Sequence, residues 1–173
     1  MIAVTTGRNP TQSTRRLSKE LARYLPRASR LVRGKLGLRR MVDQLAATGQ
    51  RRLVLVYRRS GGPSQLELMS LEGNEFKRIP PTIIIRNVKF APTDKRGHRV
   101  KAGCVTVESR ETLPLGKVLS DFFGLPLIEH ERCDFNHSLH LSRDARKGLR
   151  LMILSLPERK AVGLTITIKQ LRW

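Results

Sequence analysis

The chain has 173 residues, 34 Lys+Arg against 14 Asp+Glu, a formal net charge of +20 and 39% hydrophobic residues. That length suits one compact domain or two small halves sharing a core. No run approaches the ~20 apolar residues needed to span a bilayer, and the Met1-Ile2-Ala3-Val4-Thr5 start lacks the charged and apolar regions of a signal peptide, so a secreted or membrane protein is not expected. Two cysteines, Cys104 and Cys133, cannot build a disulfide framework, which sets the expectation of a reducing, cytoplasmic compartment (nucleolar if the source is eukaryotic).

The charge is unevenly placed. Residues 1–59 hold 15 Lys+Arg and 2 Asp+Glu, a net +13, which leaves +7 for residues 60–173. Within 1–59 the only lysines are Lys19 and Lys35; the other basic residues are Arg. Guanidinium forks bind phosphate oxygens in a bidentate way and stay protonated, so this bias points to a polyanion. A basic surface enriched only for solvation normally brings Glu with it, and acids are scarce here. Nucleic acid is the indicated partner, well ahead of a membrane surface.

Asn9-Pro10 reads as a helix start, with Asn as N-cap and Pro at the first helical position. Leu17, Leu21 and Leu25 then recur at i, i+4, i+8, and Pro26 limits the helix. Arg15, Lys19 and Arg23 fall opposite that stripe, with Arg16 nearby, giving a basic outer face. A short strand is expected over Ala28 to Val32. Gly37 opens a second helix carrying Leu38, Met41, Val42, Leu45 and Ala46, and Gly49 stands where a C-terminal cap belongs. The apolar run Leu53–Tyr57 predicts a strand covered on both faces, residues 58–64 a loop, and Gln65 to Leu71 a return strand. Gly73-Asn74 marks a turn and Ile83-Ile84-Ile85 the next strand, so the first half reads β-α-β-α-β-β-β. That alternation argues for an α/β fold, a mixed sheet with helical cover.

Residues 91–99 read as a polar connection between halves, followed by a strand over Val100 to Glu108. Leu115, Val118, Leu119, Phe122 and Phe123 repeat the helical pattern, and Gly124 ends it. Short strands follow near Leu127, Leu139, Leu149–Leu154 and Val162–Leu171, the last two forming a hairpin through Pro157-Glu158-Arg159-Lys160. Both halves pair helix with strands, without a clean sequence repeat.

His130, Cys133, His137 and His140 have metal-ligand spacing, but no CxxC is present and His137 and His140 differ in parity along a strand. They are expected to be ordinary histidines and a buried cysteine rather than a zinc site. The Gly61-Gly62 loop lacks Walker spacing, there is no GxGxxG or GxSxG, and the acids form no pair suited to two-metal chemistry. No cofactor, no metal and no catalytic set is expected. Only eight aromatics exist and the RNP1 signature is absent, so phosphate contact and RNA shape, not base stacking, should drive recognition. Trp173 is expected to be a packing lid.

Thr5-Thr6-Gly7-Arg8-Asn9-Pro10, the amphipathic helix, Arg33-Gly34 before a second helix, Leu53–Tyr57, Gly62-Pro63 and Pro81-Thr82 together resemble the Brix domain. The resemblance covers residues 2–90 well and the remainder loosely. Gly7 stands where many members have Ser, and the later glycine-and-basic signature is weak around Lys160-Ala161-Val162-Gly163. The resemblance implies one Brix-like domain over 1–173, of compact archaeal form, with halves at about 1–90 and 98–173. It implies two α/β halves of related topology, each similar to the anticodon-binding domain of class IIa aminoacyl-tRNA synthetases. It also implies a non-catalytic ribosome-biogenesis factor that binds ribosomal RNA or its precursor, with ribosome-assembly proteins as further partners and no membrane or small-molecule substrate. The rivals are a structural ribosomal protein and an RNA-modifying or RNA-cleaving enzyme. The expected RNA contacts are Arg15, Arg16, Lys19 and Arg23 on the first helix, with Arg8 beside its N-terminus. Arg30, Arg33, Lys35, Arg39 and Arg40 extend the patch, and Arg58 and Arg59 reach it from the loop.

Overall fold

The computed structural model describes residues 1–91, 101–129, 133–144, 148–156 and 158–173. They divide into two units: Met1–Ala22, Arg27–Ile84 and Gln170–Trp173 form the first, Arg23–Pro26 and Ile85–Lys169 the second. The connection expected over 91–99 lies, except for Ala91, outside the described residues, as do Val100, His130 and Pro157.

The first unit grows from β1 (Ile2–Thr6), a strand buried along its whole length. Helix α1 (Gln12–Tyr24) crosses to β2 (Ala28–Arg30), and α2 (Leu38–Ala47) leads to β3 (Arg52–Arg59). Both β2 and β3 pair parallel with β1, Ile2 lying against Ala28 on one side and Arg52 on the other. Strands β4 (Gly62–Glu72) and β5 (Glu75–Phe90) then add antiparallel, giving the order β2-β1-β3-β4-β5. The pleat sorts the side chains: Ala3, Leu53 and Leu55 share one face and form a core cluster with Met41 and Leu45 of α2. Val4, Val54 and Val56 point the other way and are buried as well. The chain steps outward from β1 to β2 and then back across to β3, so two right-handed crossovers place their helices on opposite faces. That assigns the second face to α1, whose Leu17 and Leu21 are buried and contribute about 2 kcal/mol each by leaving water.

The second unit repeats this order with β6 (Cys104–Val107), α3 (Leu113–Phe123), β7 (Leu127–Glu129), β8 (His137–Asp144), β9 (Gly148–Ser155) and β10 (Lys160–Arg172). Strands β7 and β8 flank β6 in parallel, and β9 and β10 follow antiparallel, in the order β10-β9-β8-β6-β7. Gly116 lets α3 sit close on its sheet, since a Cβ there would come 2.5 Å from Val107 Cγ1. Among the described residues nothing between β7 and β8 corresponds to α2. The expected α/β class with mixed sheets is what the chain forms.

Several boundaries differ from the sequence reading, each for a local reason. Asn9 does not cap α1; it takes φ +51, and Thr11 Oγ1 instead accepts the Thr14 N–H at 3.3 Å. The loop expected over 58–64 shrinks to a two-residue turn, because Ser60 and Gly61 both adopt the positive φ that a tight hairpin demands. Cys104 and Cys133, expected to be unbridged, form a disulfide. The parallel register sets Cys104 against Ser138, which brings the segment five residues ahead of Ser138 close to β6. A single bridge needs only that proximity, so the cysteine count gave no argument against it. Among the described residues no helix is long and apolar enough to cross a membrane.

Candidate nucleic-acid interface

In open α/β sheets, ligands bind outside the carboxyl ends of the strands where the strand order reverses. In the first unit the order reverses between β1 and β3, and directly beside that point lie the carboxyl ends of β1 and β2. A cleft of about 350 Å³ opens there. Thr6, Gly7, Asn9 and Pro10 form one wall, between the end of β1 and the start of α1; Arg30 to Lys35 form the other. The second wall is tied to the sheet by Leu31 N–H on Val4 O at 2.9 Å and by Thr5 Oγ1 on Leu31 O at 2.8 Å.

Four of the expected contact residues, Arg15, Arg30, Arg33 and Lys35, line this cleft. Arg15, Arg30 and Lys35 are exposed, whereas Arg33, expected to be a surface charge like the others, is only 8% exposed. Its Nε–H donates to Leu36 O at 2.7 Å, while Leu36 N–H returns a bond to Arg33 O at 3.1 Å. Burial, and then the like charge of Arg8, hold the Arg33 guanidinium below its ordinary pKa. Arg8 is exposed and close enough to be felt there.

The other expected residues sit outside the cleft. Arg16 and Lys19 are exposed on α1, and Arg58 and Arg59 are exposed at the end of β3. Arg39 and Arg40 are exposed on α2, with Arg39 opening onto a separate groove that also contains Glu75 and Phe76. Arg23 departs from the expected outward orientation: it is half-buried, with its guanidinium 5.6 Å from the centre of the Tyr24 ring. The sequence reading missed Gly7, Asn9 and Val32 as cleft residues; the Asn-Pro pair was a usable turn signal, but Val32, 72% exposed, carried none.

Beneath the cleft, the Tyr57 ring lies against Gly7, whose Cβ, if present, would come within 3.1 Å of Tyr57 Cδ1. Nearby, the buried Glu67 carboxylate is held by Arg78 at 2.9 Å and by Gln65 Nε2 at 2.7 Å. Burial first, and then Glu67, push the Tyr57 phenol up to about 12. A folded value above the unfolded one, about 10, means a contribution to stability that is complete below about pH 10 and lost as pH rises through about 12. Ultraviolet titration should therefore reveal a tyrosinate component near pH 12 that Tyr57→Phe removes. Complete ionisation of both tyrosines by about pH 11 would show that the phenol is not held in this way.

His130 lies outside the described residues, and the Cys133 sulfur is bonded to Cys104. His140 is buried with Nδ1 2.8 Å from Thr106 Oγ1, while burial lowers the pKa of His137 and Glu158 opposes that shift. Trp173 is 65% exposed, so it is not the packing lid expected from the sequence.

The architecture is that of a mixed α/β protein built of two similarly ordered units, with an arginine-lined crevice in the first. No family model matches the chain. The probable Brix domain-containing ribosomal biogenesis protein of Pyrobaculum aerophilum is 26% identical over 131 residues, covering 73% of this chain and 70% of that protein. A crystal structure of a probable ribosomal biogenesis protein from Aeropyrum pernix K1 has a TM-score of 0.76 at 21% identity, over 96% of this chain and 94% of its own. Mil, an archaeal Imp4-like protein, gives 0.70 at 21% identity over 98% of both chains. These two structures share the fold, and the resemblance to the Brix domain is borne out by the relative that carries that name.

Proposed function

We propose that this protein is a non-catalytic ribosome-assembly factor that binds ribosomal RNA precursors through the basic surface of its first unit. The observation carrying this reading is the charge left exposed. Arg8, Arg15, Arg16, Lys19, Arg30, Lys35, Arg39, Arg40, Arg58 and Arg59 all face solvent, while of the two acids in residues 1–59 Glu20 is buried and only Asp43 is exposed. Such a predominantly basic surface attracts a polyanion, and arginine adds forked hydrogen bonding to phosphate. The names of the relatives, which speak of ribosomal biogenesis, support precursor ribosomal RNA as that polyanion and assembly proteins as further partners.

Crosslinking in cells, followed by mapping of the attached RNA, should recover precursor ribosomal RNA; recovery of mature ribosomal RNA alone would point to a resident ribosomal protein. In vitro, Lys19→Glu, Arg40→Glu and Arg59→Glu together reverse three exposed charges outside the cleft. They should weaken single-stranded RNA binding by at least about tenfold at roughly 0.1 M salt. Stability should hardly move, because each surface change costs within about 0.5 kcal/mol. Unchanged RNA affinity in a folded triple variant would remove the basic surface as the RNA interface.

A further inference from the structure

We propose that the cleft at the carboxyl ends of β1 and β2 is the seat of a single RNA phosphodiester, gripped by Arg33. This rests on the RNA-binding reading above and deepens it by naming the residue and the group it holds. Arg33 is more than nine-tenths buried, yet its two Nη groups have no acceptor among the described residues. The reciprocal bonds with Leu36 fix the guanidinium through Nε and the backbone, leaving the Nη edge free for a ligand. Among the described residues no carboxylate lines the cleft. With Arg8 as a like charge nearby and the Nη edge open to the cleft, an anion would complete the site. Phosphate suits it, because two parallel N–H donors match two phosphate oxygens.

Two further features converge on the same spot. Asn9 and Pro10 ahead of α1, and Arg15 and Ser18 on the flank of that helix, line the cleft together with Arg33. Arg15, Arg30 and Lys35 stand exposed on the rim, where they would follow the neighbouring phosphates, and exposed Val32 gives a ribose an apolar wall.

The second unit supplies the internal contrast. Gly7 N–H bonds Val56 O after β1, as Glu108 N–H bonds Leu141 O after β6, and Thr11 and Thr112 each precede their helix. The matching segment thus places Glu108 where Gly7 stands and Glu111 where Pro10 stands. There Arg143 is already engaged, its side chain with Glu111 and its N–H with Glu108 Oε2 at 3.3 Å. Arg143 stands where Arg58 does, so at this end of its central strand the second unit carries its own carboxylates, where the first unit has Gly7 and Pro10.

The test follows the Arg33 Nε–H resonance by NMR while the full chain is titrated separately with the dinucleotide UpU, inorganic phosphate and uridine. UpU should shift that resonance, phosphate should compete with it, and uridine should leave it in place. A response to inorganic phosphate without one to UpU would make the cleft a small-anion site and overturn the proposal; silence toward both would overturn it as well. Arg33→Met keeps the buried stem and removes the charge, and should weaken oligouridine binding by about tenfold and abolish the UpU effect. Should that variant fail to fold, Arg15→Gln with Lys35→Gln, both exposed, must weaken UpU binding for the proposal to survive. Salt-sensitive oligouridine binding with an unmoved Arg33 signal would sink the phosphate seat while leaving the RNA-binding reading intact. Failure of the wild-type chain to bind oligouridine at any salt would remove that reading itself.

Discussion

Raising salt from about 50 to about 200 mM should weaken single-stranded RNA binding by roughly 300-fold. The figure follows from counterion release: each neutralised phosphate contributes about −0.7 to the log–log slope, and about six contacts give a slope near −4. Six is just over half of the ten exposed basic residues singled out in the first unit. The charge-reversal triple should flatten the slope by about 2, because three contacts are lost. Affinity and slope must fall together. A variant that loses affinity while retaining the full slope would have lost something other than phosphate contacts. A wild-type slope near zero would mean that the exposed arginines meet only solvent.

The helices were the most legible part of the fold. Leu38, Met41, Val42 and Leu45 recur at the helical period, and α2 ends beside Gly49 at φ +67, as its position suggested. Likewise the pattern from Leu115 to Phe123 falls within α3 (Leu113–Phe123), closed by left-handed Gly124. What sequence could not resolve depended on register between distant segments. The disulfide becomes possible only when β6 and β8 lie side by side, and the length of β5 emerges only against β4, running through Pro80 and Pro81. The candidate site shows the same division. Composition placed the charge in residues 1–59, but nothing local separates Arg33 from Arg30 or Arg39. Burial of one and exposure of the others follow from β2 ending beside β1 and from the turn closed by Leu36. Arg23 is half-buried because its neighbour Tyr24 is buried and holds the guanidinium over its ring.

Gly163→Ala should lower the melting temperature by roughly 10 °C, although alanine is the smallest side chain that could be added. Gly163 lies where the β9–β10 register shifts, at φ +71, so any L-residue there meets backbone strain of about 1–2 kcal/mol. Its new Cβ would also fall within the space of the Tyr24 ring, which is 5% exposed and cannot swing into solvent. Overpacking of that kind costs about 1–3 kcal/mol, and the backbone is further held by Ala91 N–H on Gly163 O at 2.7 Å. The sum, about 2–5 kcal/mol, is a large part of an ordinary domain's stability of about 5–15 kcal/mol. Gly73→Ala is the matched control: φ there is +58, but nothing lies within 4 Å of the added methyl, so only the backbone strain applies. The difference between the two variants isolates the Tyr24 clash. Adding Tyr24→Ala to Gly163→Ala should then cost less than the two single changes summed, because the ring that clashes is gone. Equal melting temperatures for Gly163→Ala and Gly73→Ala would show that Tyr24 does not pack on this turn.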